Sequence, residues 1–89
     1  MTKWVLYDRN RRRWRRVTRL MARDGCACAI CGEALDRGLR DWDHPLYITF
    51  DHIVPRSHGG TDDERNLRLA HKRCNEVRGN EPLAEEVPA

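Results

Sequence analysis

Residues 48–79 read ITFDHIVPRSHGGTDDERNLRLAHKRCNEVRG. The stretch holds Asp51-His52, Gly59-Gly60, Asn66, and His71-x-x-Cys74 followed directly by Asn75. These residue types bind metals, move protons and grip phosphates, and an apolar core has little use for them. Tyr47 to Val54 is rich in aromatic and β-branched residues and predicts a strand that Pro55 ends. The glycine pair allows positive φ in the loop. Thr61-Asp-Asp-Glu64 reads as a capping box opening a short helical turn from Asp62 to about Asn66. Leu67 to Ala70 predicts a second short strand, and Lys72 to Arg78 a helix stopped by Gly79. The expected unit is a β-hairpin with an elaborated loop, then a helix. One tension stands in it: a regular strand points Asp51 and His52 to opposite faces. For both to serve one site, the strand must end or bulge near His52.

Working outward, Cys28-Ala-Ile-Cys31-Gly32 is a CxxC knuckle, with glycine permitting a tight turn. His71-Lys-Arg-Cys74 repeats the two-residue gap about 40 positions later. Two such pairs make a Cys3His tetrahedral zinc site from Cys28, Cys31, His71 and Cys74. Cys26 is a spare that can replace Cys28 only through a longer loop. Residues 36–46 read as a polar loop with Trp42 tucked onto the core, a more ordinary reading than a further metal site at Asp41, Asp43 and His44.

At the N-terminal side, residues 1–7 suggest a short strand or arm with Trp4 and Tyr7 packed. Asp8 is a plausible N-cap for a helix from Arg9 to Arg23 that closes at Gly25. Trp14, Val17, Leu20 and Met21 form its apolar stripe. Arg9, Arg12, Arg13 and Arg16 fall on another face and would self-repel without an anionic partner. The first 23 residues carry Lys3 and eight arginines against one aspartate, although the chain's net charge is only +3. A basic end on a mildly acidic body is the footprint of a nucleic-acid binder, and Arg56, Lys72 and Arg78 are added to the expected phosphate contacts.

The 89 residues make one domain. Its parts are a basic helix at 9–24, a first zinc knuckle at 26–35, the hairpin-helix core at 47–79 and a flexible tail at 80–89. At this size an apolar core alone gives marginal stability, and the mean hydropathy of −0.84 points to a metal or partner as a further support. There is no apolar run of membrane-spanning length and no signal-peptide pattern. A reducing cytoplasm is therefore expected, where four cysteines read as metal ligands.

The pattern DHIVPRS-x-GG, then NL, then H-x-x-CN-x-x-RG resembles the HNH nucleases, whose fold is the α+β ββα-metal (His-Me finger) core. The basic helix ending in RDG before CxxC resembles the small stand-alone, zinc-containing members found in phages and bacteria. The resemblance covers roughly Trp14 to Gly79. It implies a metal-dependent DNA endonuclease in which His52 is the general base and Asn66 braces the loop. Asp51 and Asn75 would hold one divalent cation, expected to be Mg2+, with Mn2+ or Ni2+ as substitutes. The zinc would be structural, because a closed four-ligand site has no open position. A histidine of ordinary pKa suits proton transfer from water near neutral pH.

Taken singly, Asp51-His52 is a strand-end pair, Asn66 a turn residue and His58 an exposed loop residue. Taken together, those readings need several coincidences. The runner-up function is a non-catalytic zinc DNA-binding module, accessory to a larger complex such as a phage terminase. A third is an RNA-directed nuclease or interaction domain. A double-strand cut would need a second active site, from a homodimer or a packaging partner, or repositioning.

Overall fold

The computed structural model describes residues 3–79, with side chains from residue 11 onward. Helix α1 (Lys3–Asp24) leads into the hairpin of β1 (Ile48–His52) and β2 (Leu67–His71), and helix α2 (Lys72–Arg78) follows without a break. The first helix begins earlier than the sequence suggests. No proline or glycine interrupts the run from Lys3, so Asp8 lies inside the helix rather than capping it. The expected packing of Trp4 and Tyr7, the side chain of Arg9 and the tail at 80–89 lie outside the described residues. At the other end, Gly25 takes φ +89° and its N–H returns to the Met21 carbonyl, which closes the helix as expected. Among the described residues, no helix is long and apolar enough to cross a membrane.

The two strands are antiparallel and regular, running from Ile48 opposite His71 to His52 opposite Leu67. Alternation puts Ile48, Phe50, His52, Leu67, Leu69 and His71 on one face of the sheet, and Thr49, Asp51, Arg68 and Ala70 on the other. Val17 and Leu20 of α1 are fully buried against Ile48, Leu67 and Leu69, with Trp14, Met21 and Phe50 packed around them. The predicted stripe is thus the face that docks.

Arg13 is on that stripe too. It stands four residues before Val17 and seven before Leu20, which returns it to the same side of a 3.6-residue helix. Its guanidinium donates to the Ile48 carbonyl and lies 4.7 Å from the Tyr47 ring centre and 4.9 Å from that of Trp14. The expectation of Arg13 among the outward arginines is corrected: it is a partly buried strut, held by aromatic faces.

The loop before β1 differs as well. Asp41 accepts from the Asp43 N–H, the Leu46 N–H donates to His44 Nδ1, and Lys72 reaches Asp43 at 3.1 Å. These groups turn the chain and clamp it to α2. Trp42 is 71% exposed, with the Lys72 ammonium 5.7 Å from its ring centre, so it is not tucked onto the core.

Candidate active site and metal centre

The knuckle is a miniature hairpin. Ala27 bridges Ala34, and the Cys28 N–H donates to the Glu33 carbonyl. Gly32 makes the turn at φ +82° and returns its N–H to the Cys28 carbonyl. On the other side, His71 ends β2 and Cys74 sits in the first turn of α2. The ligand atoms of Cys28, Cys31, His71 and Cys74 all lie within 4.8 Å of one another. His71 Nδ1 is 3.4 Å from the Cys31 sulfur and 3.9 Å from that of Cys74. A tetrahedral zinc with bonds of about 2.3 Å to sulfur and about 2.0 Å to nitrogen sets N···S edges of about 3.6 Å, between those two values.

The surrounding bonds fit the same ion. His71 Nε2 bonds the Ala34 carbonyl at 3.0 Å, so Nε2 carries the proton and Nδ1 is the bare nitrogen facing the sulfurs. Backbone N–H groups of Cys31 and His71 point at the Cys28 sulfur. Burial disfavours the Cys28 thiolate, yet these amides and that of Ile30 bring its pKa down to about 6. Burial, with the sulfurs of Cys31 and Cys28 beside it, pushes Cys74 up to about 11. Thiols crowded this closely ionise together only around a cation. The four residues can hold a zinc ion and leave it no open position. Cys26 is exposed and outside the cluster.

The second set of residues surrounds the end of β1. Asn66 pins the loop: its Oδ1 accepts from the Val54 N–H at 2.9 Å, and its Nδ2 donates to the carbonyls of Val54 at 3.1 Å and Thr61 at 2.7 Å. The two glycines act differently. Gly59 takes φ +89°. Gly60 is needed for space, since a Cβ there would fall 1.7 Å from the Val54 carbonyl oxygen. The expected capping box is shifted by two residues. Asp63, not Thr61, caps the 3-10 turn Glu64–Asn66 by accepting from the Arg65 N–H.

The strand stays regular through His52 and ends there, so Asp51 and His52 keep opposite faces. At the end of the face that packs on α1, the His52 ring Nε2 bonds Asp62 Oδ1 at 2.8 Å, and Arg56 grips the same oxygen through Nε at 3.0 Å and through Nη2. Hydrogen bonds from His52 and then Arg56 hold the Asp62 carboxyl below its ordinary pKa.

On the opposite face, the inner one between the sheet and α2, Asp51 is buried and both its oxygens lie 2.7 Å from Arg78 Nη1, while Arg68 Nε reaches Oδ2 at 2.8 Å. Arg78 also donates to the carbonyls of His52 and Ile53. This corrects the expectation of Arg78 as a phosphate contact: it is a buried strut between α2 and the turn after β1. Asn75 lies on the same face, its Nδ2 donating to Thr49 Oγ1 and the Phe50 carbonyl, each at 3.2 Å. These bonds use the amide nitrogen and not the oxygen, the atom that a cation would need. Asp51 does not fit the role as it stands, because two guanidinium groups already neutralise its carboxylate.

Arg11, Arg12, Arg15 and Arg19 of α1 are exposed, and Arg16 is half-buried. Arg12, Arg13, Arg15, Arg16, Arg19 and Phe50 line an open groove of about 440 Å³. The arginine face is less unbalanced than its sequence suggests. Glu64 sits 2.5 Å from Arg19 and 3.5 Å from Arg16, and the hydrogen bond from Arg19 lowers its pKa. Arg23 donates to the Glu64 and Leu67 carbonyls. Sequence spacing marks Asp62 and Glu64 only as parts of a capping box, and it does not mark Arg68. Each acquires its part from a partner that the topology brings in.

The HNH endonuclease family profile matches residues 28–81, from the first knuckle ligand past the end of α2. The CRISPR-associated endonuclease Cas9 of Corynebacterium diphtheriae is 36% identical over 63 residues, which is 70% of this chain and 5% of that protein. No solved structure gave a significant match.

Proposed function

The chain belongs to the HNH endonuclease family, and from that premise we propose that it is a metal-dependent DNA endonuclease stapled by a structural zinc. The observation that carries the proposal is the setting of His52. Its imidazole stands at the end of a strand, 25% exposed and hydrogen-bonded, on the sheet face it shares with Phe50. Phe50 also forms part of the arginine-lined groove of α1. A polyanion lying in that groove runs toward a histidine, the side chain type suited to taking a proton from water at neutral pH.

In this reading the arginines of α1, with Lys72 on the α2 side, neutralise backbone phosphates and carry no sequence information. His52 takes a proton from a water molecule. The water oxygen bonds to phosphorus, the P–O3′ bond breaks, and the leaving oxygen takes a proton from solvent. Asn66 keeps the loop and the base in register. Cys28, Cys31, His71 and Cys74 hold zinc and tie the knuckle to α2. Asp51 and Asn75 are retained as the cation ligands, and both Arg78 and Arg68 must release the Asp51 carboxylate for that pair to form. The proton step above rests on protein groups alone.

Supercoiled plasmid, incubated with the zinc-loaded protein with and without Mg2+ or Mn2+, tests the reading. Metal-dependent cutting is expected, with a fall of about 10²- to 10⁴-fold in folded His52→Ala. Cutting that survives the substitution puts the base elsewhere. Plasmid binding without cutting, in both proteins, turns the reading to a non-catalytic accessory module.

A further inference from the structure

The bond between His52 and Asp62 decides which ring nitrogen faces the water. An aspartate at neutral pH is ionised and can only accept, so at 2.8 Å from Asp62 Oδ1 the His52 Nε2 must carry the hydrogen. In the neutral ring that a base requires, the bare nitrogen is then Nδ1. We infer that Asp62 is a positioning residue for the reaction: its carboxylate fixes the His52 ring and its Nε2–H tautomer, leaving Nδ1 as the atom that takes the water proton. The inference rests on the reading of His52 as the base.

Three features show that the contact is built. Arg56 grips the same carboxylate oxygen with two nitrogens, a fork that restrains the aspartate from swinging away. The preceding residue is fixed, because Asn66 Nδ2 holds the Thr61 carbonyl at 2.7 Å. Before that, Gly60 packs directly on the Val54 carbonyl and returns its N–H to the Pro55 carbonyl. The loop is therefore closed on itself between the base and its partner. The Asp62 side chain is 62% exposed, so the bond adds little to folding stability, and its effect lies in orientation. The same exposure makes Asp62 safe to replace.

In the proton step, an O–H bond of water breaks and its proton goes to Nδ1. The positive charge that appears on the ring is then met at Nε2–H by the carboxylate, which itself stays ionised. This is the logic of an aspartate behind a catalytic histidine, reached here through a surface loop.

Cleavage kinetics and ring NMR of the full chain, zinc loaded, test it together. Asp62→Ala is expected to lower kcat about 10- to 100-fold with KM little changed, and Asp62→Asn, which keeps an acceptor oxygen, to recover part of the loss. In the double variant with His52→Ala, removing Asp62 should bring no further loss, because it acts through a ring that is already gone. Independently of activity, the His52 Nε2–H signal, shielded from exchange by its bond to Asp62, should be lost in Asp62→Ala. Wild-type kcat in Asp62→Ala, an additive loss in the double variant, or an unchanged ring signal would each overturn the inference. Wild-type cutting by His52→Ala overturns the base reading instead, and an Nε2–H signal lost on Asp62→Ala tells that failure apart.

Discussion

The four-ligand cluster and the turn after β1 stand at the two ends of one short hairpin, and they are assembled by different means. At the cluster, donors of one kind converge, with every ligand atom within 4.8 Å of the others. Each pair of ligands is local in sequence, with two residues between its members, on a knuckle or across the start of a helix. At the turn, charges of both signs are shared out between two faces of a strand. His52 goes to Asp62 on one face, Asp51 to Arg68 and Arg78 on the other. The first region can close around a single ion. The second is held by pairs that can be separated one at a time.

The largest effect should therefore come from the cluster. Structural zinc sites of this kind contribute on the order of 10 kcal/mol to folding, comparable with the whole stability of a domain, about 5–15 kcal/mol. A chelator strong enough to strip zinc should abolish the cooperative thermal melt followed by circular dichroism, and added zinc should restore it. A melt that survives chelation would mean that the small apolar core suffices alone.

The inner face of the turn comes next. Arg78 serves a buried carboxylate and two carbonyls at once, so Arg78→Met leaves Asp51 with one partner and the turn without donors. Breaking a buried pair of this kind typically costs about 3–5 kcal/mol, readable in urea unfolding as a lower midpoint at unchanged slope. Arg78→Lys keeps the charge but not the planar fork, and should recover only part of the loss. Equal stability of Arg78→Met and wild type would make the pair dispensable and reopen Arg78 as a phosphate contact.

The same contrast explains what could be read from the chain. Ligand spacing, the apolar stripe of α1, the hairpin and the helix from Lys72 to Arg78 are local patterns, and the structure keeps them. Charge pairing is not local. With 35% of residues charged, nearly every carboxylate has several guanidinium groups within its possible reach, and only the fold selects among them. Thus Arg78 looked like an exposed cation one turn from Asn75, and Asp62 like part of a helix cap. Arg13 shows a simpler cause: a charge alone does not mark an outward position, and its helical phase is that of Val17 and Leu20. Trp42 failed in the opposite sense, an aromatic ring left on the surface by a turn that its acidic neighbours make.

The smallest effects separate the two glycines of the loop, which sequence alone treats as a pair. Gly59 has φ +89° and open space where a Cβ would go, so Gly59→Ala meets only the left-handed backbone penalty, about 1–2 kcal/mol. At Gly60 the added carbon would meet the Val54 carbonyl oxygen at 1.7 Å and its carbon at 2.6 Å. Backbone cannot swing aside as a side chain can. The loop must move, at about 2–3 kcal/mol, within the usual range for overpacking. The movement also carries a local consequence: Thr61 and Asp62 follow directly, so the contacts to Asn66 and His52 shift with them. Denaturant melts and cleavage rates of the two alanine variants can be compared side by side. Gly59→Ala should lose stability with most of its rate intact, and Gly60→Ala should lose more of both. Equal rates would mean that the loop holds Asp62 on His52 without help from the close packing at Gly60.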